Sequence, residues 1–327
     1  MGTSGSGGGC VATVLGQVVH TGVRPTRPRR SDRTGDDVRW LVIGGAGMLG
    51  TDAVDVLTRA GEDVRALGRA ELDILDADAC LAAVRDVDVV FNCAAWTAVD
   101  DAETQEAAAF AVNATGAAHL ARAATAAGAR LVHVSTDYVF DGAATVPYEA
   151  DDVVGPRSAY GRTKLAGEWA VRAHDAAGRH LVLRTAWLYG QHGGSFPRTI
   201  VRVARERGTV AVVTDQQGQP TWTRDVADLA LRLVRADAPA GTYHATSSGT
   251  ATWHDLASAA VTSAGLDPAI VTTTTSDAFV RPAPRPAWSV LGHASVRAAG
   301  VEPIGDWRER WDAAVASDGF AATVLGA

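Results

Sequence analysis

The sequence predicts an α/β protein: a doubly wound parallel sheet with helices on both faces, followed by a smaller C-terminal α/β lobe. Three observations predict it. From residue 38 onward, short β-rich runs alternate with Ala-rich helical stretches, the pattern of βαβ units. The glycine cluster GGAGMLG follows the first run directly and opens the first helix. After residue 190 the runs shorten and mix, ending in the Pro-rich VRPAPRPAWSVL.

Taken in order, the strands are VRWLVIG (38–44), DVRAL (63–67), DVVFNC (88–93), RLVHVS (130–135) and HLVLRTAW (180–187). Most are nearly continuous apolar runs, as strands buried on both faces must be. Between them, residues 48–60, 76–85, 103–127 and 158–176 read as helices, because alanine has the highest helix propensity. Beyond 190 come a helix near 196–207, a strand at 209–214 and helices near 224–235 and 252–264. These runs predict a dinucleotide-binding domain over 38–190, an interleaved substrate-binding lobe over 191–316 and a flexible tail over 317–327.

Residues 1–37 stand apart. They begin GTSGSGGG and run on to RPTRPRRSDRTGDD, too poor in apolar surface to order themselves, and are expected to form a disordered leader. Val38 could itself start translation if its codon is GTG. The leader's five arginines against three aspartates make it the only basic segment of a chain whose net charge is −7, which argues against a nucleic-acid partner. No run of 18 apolar residues exists, so no membrane span is expected. Three cysteines without a CxxC pair argue against a disulfide framework or structural zinc and suit a reducing, cytoplasmic setting.

Gly44, Gly47 and Gly50 form a GxxGxxG turn between strand and helix. Such glycines let the main chain of the turn, here with Met48 and Leu49, approach a pyrophosphate at the helix N-terminus. Arg69 follows the second strand, where an acidic residue would accept a ribose 2′-hydroxyl. Arginine suits a 2′-phosphate instead, which favours NADPH, with NADH possible. Asp73 and Ile74 are placed to touch the adenine edge. Ala94 and Ala95, after the third strand, are small enough for a cofactor to lie against the backbone. Asn113, a polar residue in an apolar helical stretch, is expected to bond backbone or water.

One residue breaks the chain's habits. Against 29 arginines there is a single lysine, Lys164, four residues after Tyr160 and therefore on the same helix face. Lysine offers a compact ammonium on a flexible stem, which a planar guanidinium cannot imitate in a tight site. Thr136, in STDYVFDG after the fourth strand, lies 24 residues before Tyr160.

The glycine turn with Thr136, Tyr160 and Lys164 resembles the extended short-chain dehydrogenases/reductases. FNCAAWTAVDDAE, VHVSTDYVFDG, YGRTKLAGE, LRTAWLYG and RPAPRPAWSVL narrow the resemblance to the dTDP-4-dehydrorhamnose reductase family over about residues 38 to 316. The resemblance implies a Rossmann-type fold and reduction of the 4-keto group of dTDP-4-dehydro-L-rhamnose to dTDP-L-rhamnose. It makes Thr136, Tyr160 and Lys164 the catalytic set, with Lys164 stabilising the phenolate and binding the nicotinamide ribose. Thr136, Asp137 and Trp187 become sugar contacts, and Arg285 a candidate for the diphosphate. Trp96 stands where family members can carry histidine or tyrosine. The glutamates of the family's magnesium-bridged dimers are not identifiable, so no metal is expected and either a monomer or a homodimer fits. Two rival readings share these motifs: a 4-ketoreductase for another dTDP-deoxysugar or streptose, and a non-catalytic NADP-binding regulatory subunit of the methionine adenosyltransferase type.

Overall fold

The computed structural model describes residues 1–2 and 38–326, so all but the first two residues of the expected leader lie outside them. The chain alternates from Arg39: β1 (Arg39–Ile43), α1 (Met48–Arg59), β2 (Asp63–Leu67), α2 (Ala77–Ala83), β3 (Val89–Asn92). Next come α3 (Val99–Ala102), α4 (Glu106–Phe110), a π-helical turn (Ala111–Gly116), α5 (Ala117–Ala127), β4 (Arg130–Thr136), α6 (Ala159–Ala173) and β5 (Leu181–Thr185). The remainder is β6 (Leu188–Tyr189), α7 (Phe196–Arg207), β7 (Val210–Val213), β8 (Gln217–Gly218), β9 (Thr221–Trp222), α8 (Thr223–Arg235), β10 (Gly241–His244), β11 (Ala251–Thr252), α9 (Trp253–Ser263), β12 (Val271–Thr274), α10 (Ala294–Ala298) and α11 (Trp307–Val315).

Six strands form one parallel sheet in the order β2-β1-β3-β4-β5-β10. Its strands alternate cleanly between two cores. Trp40, Val42, Phe91, Val132, Leu181 and Leu183 pack toward α1 and α8. Leu41, Ile43, Val90, Leu131 and Val182 pack on the other face with residues of α2, α5 and α6. β1 lies between β2 and β3, so the chain reverses its winding there, and the crevice at the carboxyl ends of β1 and β3 is where doubly wound sheets bind ligands.

Several boundaries differ from the sequence expectation for physical reasons. The helix expected over 103–127 is broken. A turn at 103–105 separates α3 from α4, and the π-helical turn inserts before α5. Asn113 in that turn accepts from Trp96 N (2.8 Å) and donates to Trp96 O (3.1 Å) and Thr163 Oγ1 (3.0 Å), so the irregular turn ties the loop after β3 to α6. β5 stops at Thr185 rather than 187, because Trp187 takes φ +46° and cannot continue a strand. The sixth strand, GTYH, is too short and too polar to show as a β run. Of the segment 317–327, expected as a flexible tail, the described residues 317–326 are packed: Phe320, Val324 and Leu325 are buried with Tyr189, Trp222 and Trp311. Two elements beyond residue 190 belong to the main sheet's layers: β10 joins the sheet and α8 packs into the core around α1.

Helix α6 positions the site. Tyr160, Lys164, Glu168 and Arg172 recur every four residues, so they share one face. Glu168 is fully buried. Its Oε1 accepts from Ser135 Oγ (2.6 Å) and Arg184 Nε (2.9 Å), and its Oε2 from Arg184 Nη2 (2.8 Å). Two glycines allow the close approach. A Cβ at Gly161 would run into the Tyr138 carbonyl, and one at Gly167 into that of Asn113. Glu168→Ala leaves the buried Arg184 charge unpaired and is expected to cost about 3–5 kcal/mol in urea unfolding. A loss below about 1 kcal/mol would show that the pair does not hold α6 to β5.

Candidate active site

The glycine turn lies at the carboxyl end of β1. Gly44 has φ +79°, and a Cβ there would sit 2.9 Å from Ala94 N. A Cβ at Gly50 would run into Gly44 O, so both positions require glycine. The amides of Gly44 and Gly45 both donate to Leu67 O, drawing the turn against the end of β2. Helix α1 starts at Gly47 with no side-chain cap and no acidic residue in its first turn, leaving amide donors for an anion. Met48 is half-buried beside them. Leu49 is buried in the core, so only its main chain faces this role.

Ala94 and Ala95 line the neighbouring loop, half-buried, with Ala94 N donating to Asn92 Oδ1 (3.1 Å). Arg69 is exposed just past β2. Asp73 is exposed and turned back to Leu75 N (2.9 Å). The Ile74 side chain is buried against Gly116, where a Cβ would lie 2.5 Å from its Cδ1, so its side chain serves the core. An uncapped helix start, a turn closed to any Cβ, small residues opposite and a free guanidinium at the rim together fit a phosphorylated dinucleotide.

The residues expected to handle the proton lie at the carboxyl end of β4, next to β3. Thr136 ends β4, paired with Thr185 of β5, and its hydroxyl donates to Asp137 Oδ1 (2.9 Å). Helix α6 begins at Ser158, whose Oγ accepts from Gly161 N (3.1 Å), while Ala159 N donates to Glu103 Oε1 (2.8 Å). These bonds set Tyr160 beside Thr136. Burial pushes the Tyr160 phenol up to about 12, a hydrogen bond with the Thr136 hydroxyl opposes that, and the Asp137 charge adds to it. The phenol is therefore held protonated throughout the neutral range. Asp137 is also buried, and burial pushes its carboxyl up to about 6 against hydrogen bonds from Thr136 and Ser289.

Lys164 is 1% exposed, and its Nζ donates to Val134 O (2.6 Å). Burial pulls its ammonium down to about 8, with Glu168 and Cys93 resisting the fall. The sequence had suggested Lys164 as the cation that eases ionisation of the phenol. In this structure the groups that shift Tyr160 are its burial, Thr136 and Asp137, and the ammonium is bonded to a main-chain carbonyl.

Trp187 lies two residues beyond Thr185. Its indole stacks flat on Trp253 (centroids 3.6 Å, planes 8° apart) and abuts Gly218, where a Cβ would collide with the ring. Trp253 is itself oriented by Gln216 Oε1 (3.0 Å). Arg285 is half-buried, with Nη2 on Asp100 Oδ2 (2.9 Å) and Nη1 on Ala283 O (3.1 Å). It borders a cavity of about 270 Å³ shared with Tyr138 and Arg157. The Tyr138 ring meets Tyr160 edge to face at 5.6 Å. The structure thus brings together Thr136, Asp137, Tyr160 and Tyr138, while Lys164, one turn along α6 from Tyr160, is bonded to Val134 O. Tyr138, Glu168, Trp253 and Asp100 escaped the sequence reading. Only Glu168 carried a signal, as the next step in the Tyr160–Lys164 spacing.

The family model described as "RmlD substrate binding domain" matches residues 38–319. A dTDP-4-dehydrorhamnose reductase of Streptomyces griseus is 49% identical over 276 residues, covering 83% of this chain and 90% of the relative. A protein of Streptomyces antibioticus named a probable dTDP-4,6-dihydroxy-2-methyloxan-3-one 4-ketoreductase is 50% identical over 279 residues, covering 83% and 92%. Among solved structures, a Bacillus anthracis dTDP-4-dehydrorhamnose reductase in complex with NADP superposes with a TM-score of 0.80 at 30% identity, covering 85% of this chain and 98% of that one.

The Lys164 ammonium is charged below its pKa of about 8 and neutral above it. Turnover that needs the cation should therefore be full at lower pH and fall as pH rises through about 8. In Lys164→Arg the charge persists at every pH, so this limb should vanish, while kcat/KM drops at least about tenfold because a guanidinium does not fit the same place. A wild-type profile that stays flat to pH 9.5 would disconnect Lys164 from the reaction.

Proposed function

The chain belongs to the RmlD substrate-binding-domain family, and from that premise we propose that it reduces the 4-keto group of dTDP-4-dehydro-L-rhamnose with NADPH, giving dTDP-L-rhamnose. The observation that supports this reading is the Tyr160–Thr136 pair at the carboxyl end of β4, with the buried Lys164 one turn along α6, on the same sheet whose β1 ends in the glycine turn. NADPH, when bound, supplies the hydride that reaches C4 of the sugar. Gly44, Gly47 and Gly50 with the α1 amides hold its pyrophosphate, and Arg69 pairs with the 2′-phosphate. NADH lacks the group that Arg69 would hold.

The protein's own residues manage the proton. Thr136 turns its hydroxyl from Asp137 to the carbonyl oxygen and fixes that oxygen near Tyr160. Tyr160, held as the neutral phenol, donates its proton to the oxygen as negative charge develops there. Lys164, the nearby buried cation, stabilises the phenolate left behind until solvent reprotonates it. Asp137 and Trp187 contact the sugar, the indole held rigid by Trp253, and Arg285 takes the diphosphate.

The S. antibioticus relative favours a second reading, in which the same chemistry acts on another dTDP-deoxysugar. The retained hydroxyl, phenol and ammonium argue against a purely regulatory role. Every residue invoked lies in one chain, so a monomer or a homodimer would serve. Among the described residues no helix is long and apolar enough to cross a membrane, and the reading puts the reaction in the cytoplasm, where Cys80 and Cys93 stay free thiols.

The test is incubation with NADPH and enzymatically made dTDP-4-dehydro-L-rhamnose, followed by identification of the product sugar. dTDP-L-rhamnose formation is expected. No turnover, with another dTDP-4-keto sugar being reduced, would move the assignment to the second reading. In the same assay Arg69→Asp should raise KM for NADPH far more than for NADH, because it sets a carboxylate against the 2′-phosphate. Equal losses would remove Arg69 from cofactor choice.

A further inference from the structure

Residues 279–287 run as an irregular strap past the cavity lined by Tyr138, Arg157 and Ser158, and the Tyr138 ring in turn meets Tyr160 edge to face. Its far end is seated on Gly142: Trp288 N donates to Gly142 O (3.1 Å), and a Cβ at Gly142 would lie 2.5 Å from Pro286 Cβ. Its near end is tied through Ser276, whose N and Oγ donate to Asp215 (2.8 and 2.9 Å) and whose Oγ accepts from Gln216 Nε2 (2.8 Å). Between these anchors one carboxylate fastens it. Asp100, on α3 just past β3, accepts from Ala283 N (3.2 Å), Arg281 Nη1 (3.4 Å) and Arg285 Nη2 (2.9 Å).

Asp100 and Arg285 are three-quarters buried or nearly so, whereas the Arg281 side chain is 61% exposed. Arg285 is therefore the partner held in a low-dielectric position, and Arg281 a weak surface pair. A guanidinium carries five N–H donors in a fixed fork. Asp100 takes one nitrogen and Ala283 O another, and donors are left over for a second anion. An arginine already fastened has lost its rotamer freedom before a ligand arrives, so binding need not supply that ordering.

We propose that Asp100 is a positioning residue for the sugar nucleotide: it fastens the strap and holds Arg285 at the cavity edge, ready for the diphosphate. This rests on the reading above that the substrate is a nucleoside-diphosphate sugar. The contact could work the opposite way, with Asp100 competing with the diphosphate for Arg285, and the sign of the effect decides between the two.

The experiment is a double-mutant cycle on the full-length chain with Asp100→Asn, Arg285→Ala and the pair, reading dTDP binding by calorimetry, KM and kcat for the keto sugar, and NADPH binding by fluorescence. Asp100→Asn is expected to weaken dTDP binding and raise KM about tenfold, in the range of one immobilised arginine, with kcat and NADPH affinity within about twofold. In the Arg285→Ala background the same substitution should add less than about twofold. Tighter dTDP binding by Asp100→Asn, or equal effects with and without Arg285, would overturn the proposal. If Asp100→Asn does not fold, Arg285→Lys keeps the charge but not the fork and should itself weaken dTDP about tenfold. Unchanged affinity there would overturn it too. A wild-type chain that binds no dTDP would sink both this inference and the substrate reading, whereas dTDP binding that Asp100→Asn leaves unaltered would sink this inference alone.

Discussion

The site depends on buried charge along one face of α6. A lone ammonium inside a protein is costly to hold, and burial alone drives Lys164 toward neutrality. The carboxylate of Glu168, one turn further on, keeps enough negative potential nearby to hold its pKa at about 8. Glu168 is tolerable only because Arg184 and Ser135 satisfy its oxygens from the sheet. Helix, sheet and buried cation are therefore one electrostatic unit, and the two glycines that let α6 come so close belong to it.

The same burial keeps the Tyr160 phenol protonated, as the proposed role of acid requires. A tyrosine raised to about 12 arrives at the reaction carrying its proton, the state a reductase requires. Burial does not help a phenolate left after transfer, so the proposed mechanism asks for a cation that stays charged at neutral pH. Arginine would keep its charge more reliably, but its planar fork is broader than the ammonium that fits this buried place and donates to the Val134 carbonyl. The proposed mechanism would thereby account for the single lysine in a chain that uses arginine at 29 other places.

Much of this was legible in the sequence, and the rest was hidden for identifiable reasons. The strands of the parallel sheet read directly because burial on both faces makes them continuous apolar runs, and GTYH did not because it is short and half polar. The glycine turn was legible because its geometry admits no Cβ. The spacing of Tyr160 and Lys164 put both on one helix face, as α6 has them, and Glu168 followed the same spacing unremarked. The roles of Asp100 and Trp253 depend on contacts with residues far along the chain, Arg285 and Trp187, and local pattern carries no trace of such pairings. The break before α5 was invisible for the same reason, since Asn113 is fixed by Trp96 and Thr163 rather than by its neighbours.

Because Lys164 is the chain's only lysine, its charge can be titrated without assignment. Protein labelled with lysine carrying ¹³C at Cε gives one side-chain signal, whose shift follows ionisation of Nζ. The account predicts a midpoint near pH 8 in the cofactor-free protein, moving lower still in Glu168→Gln if that variant folds. A midpoint near 10.4, the ordinary value for a solvated lysine, would contradict it, since it would mean that Lys164 is not the buried cation on which the site is built.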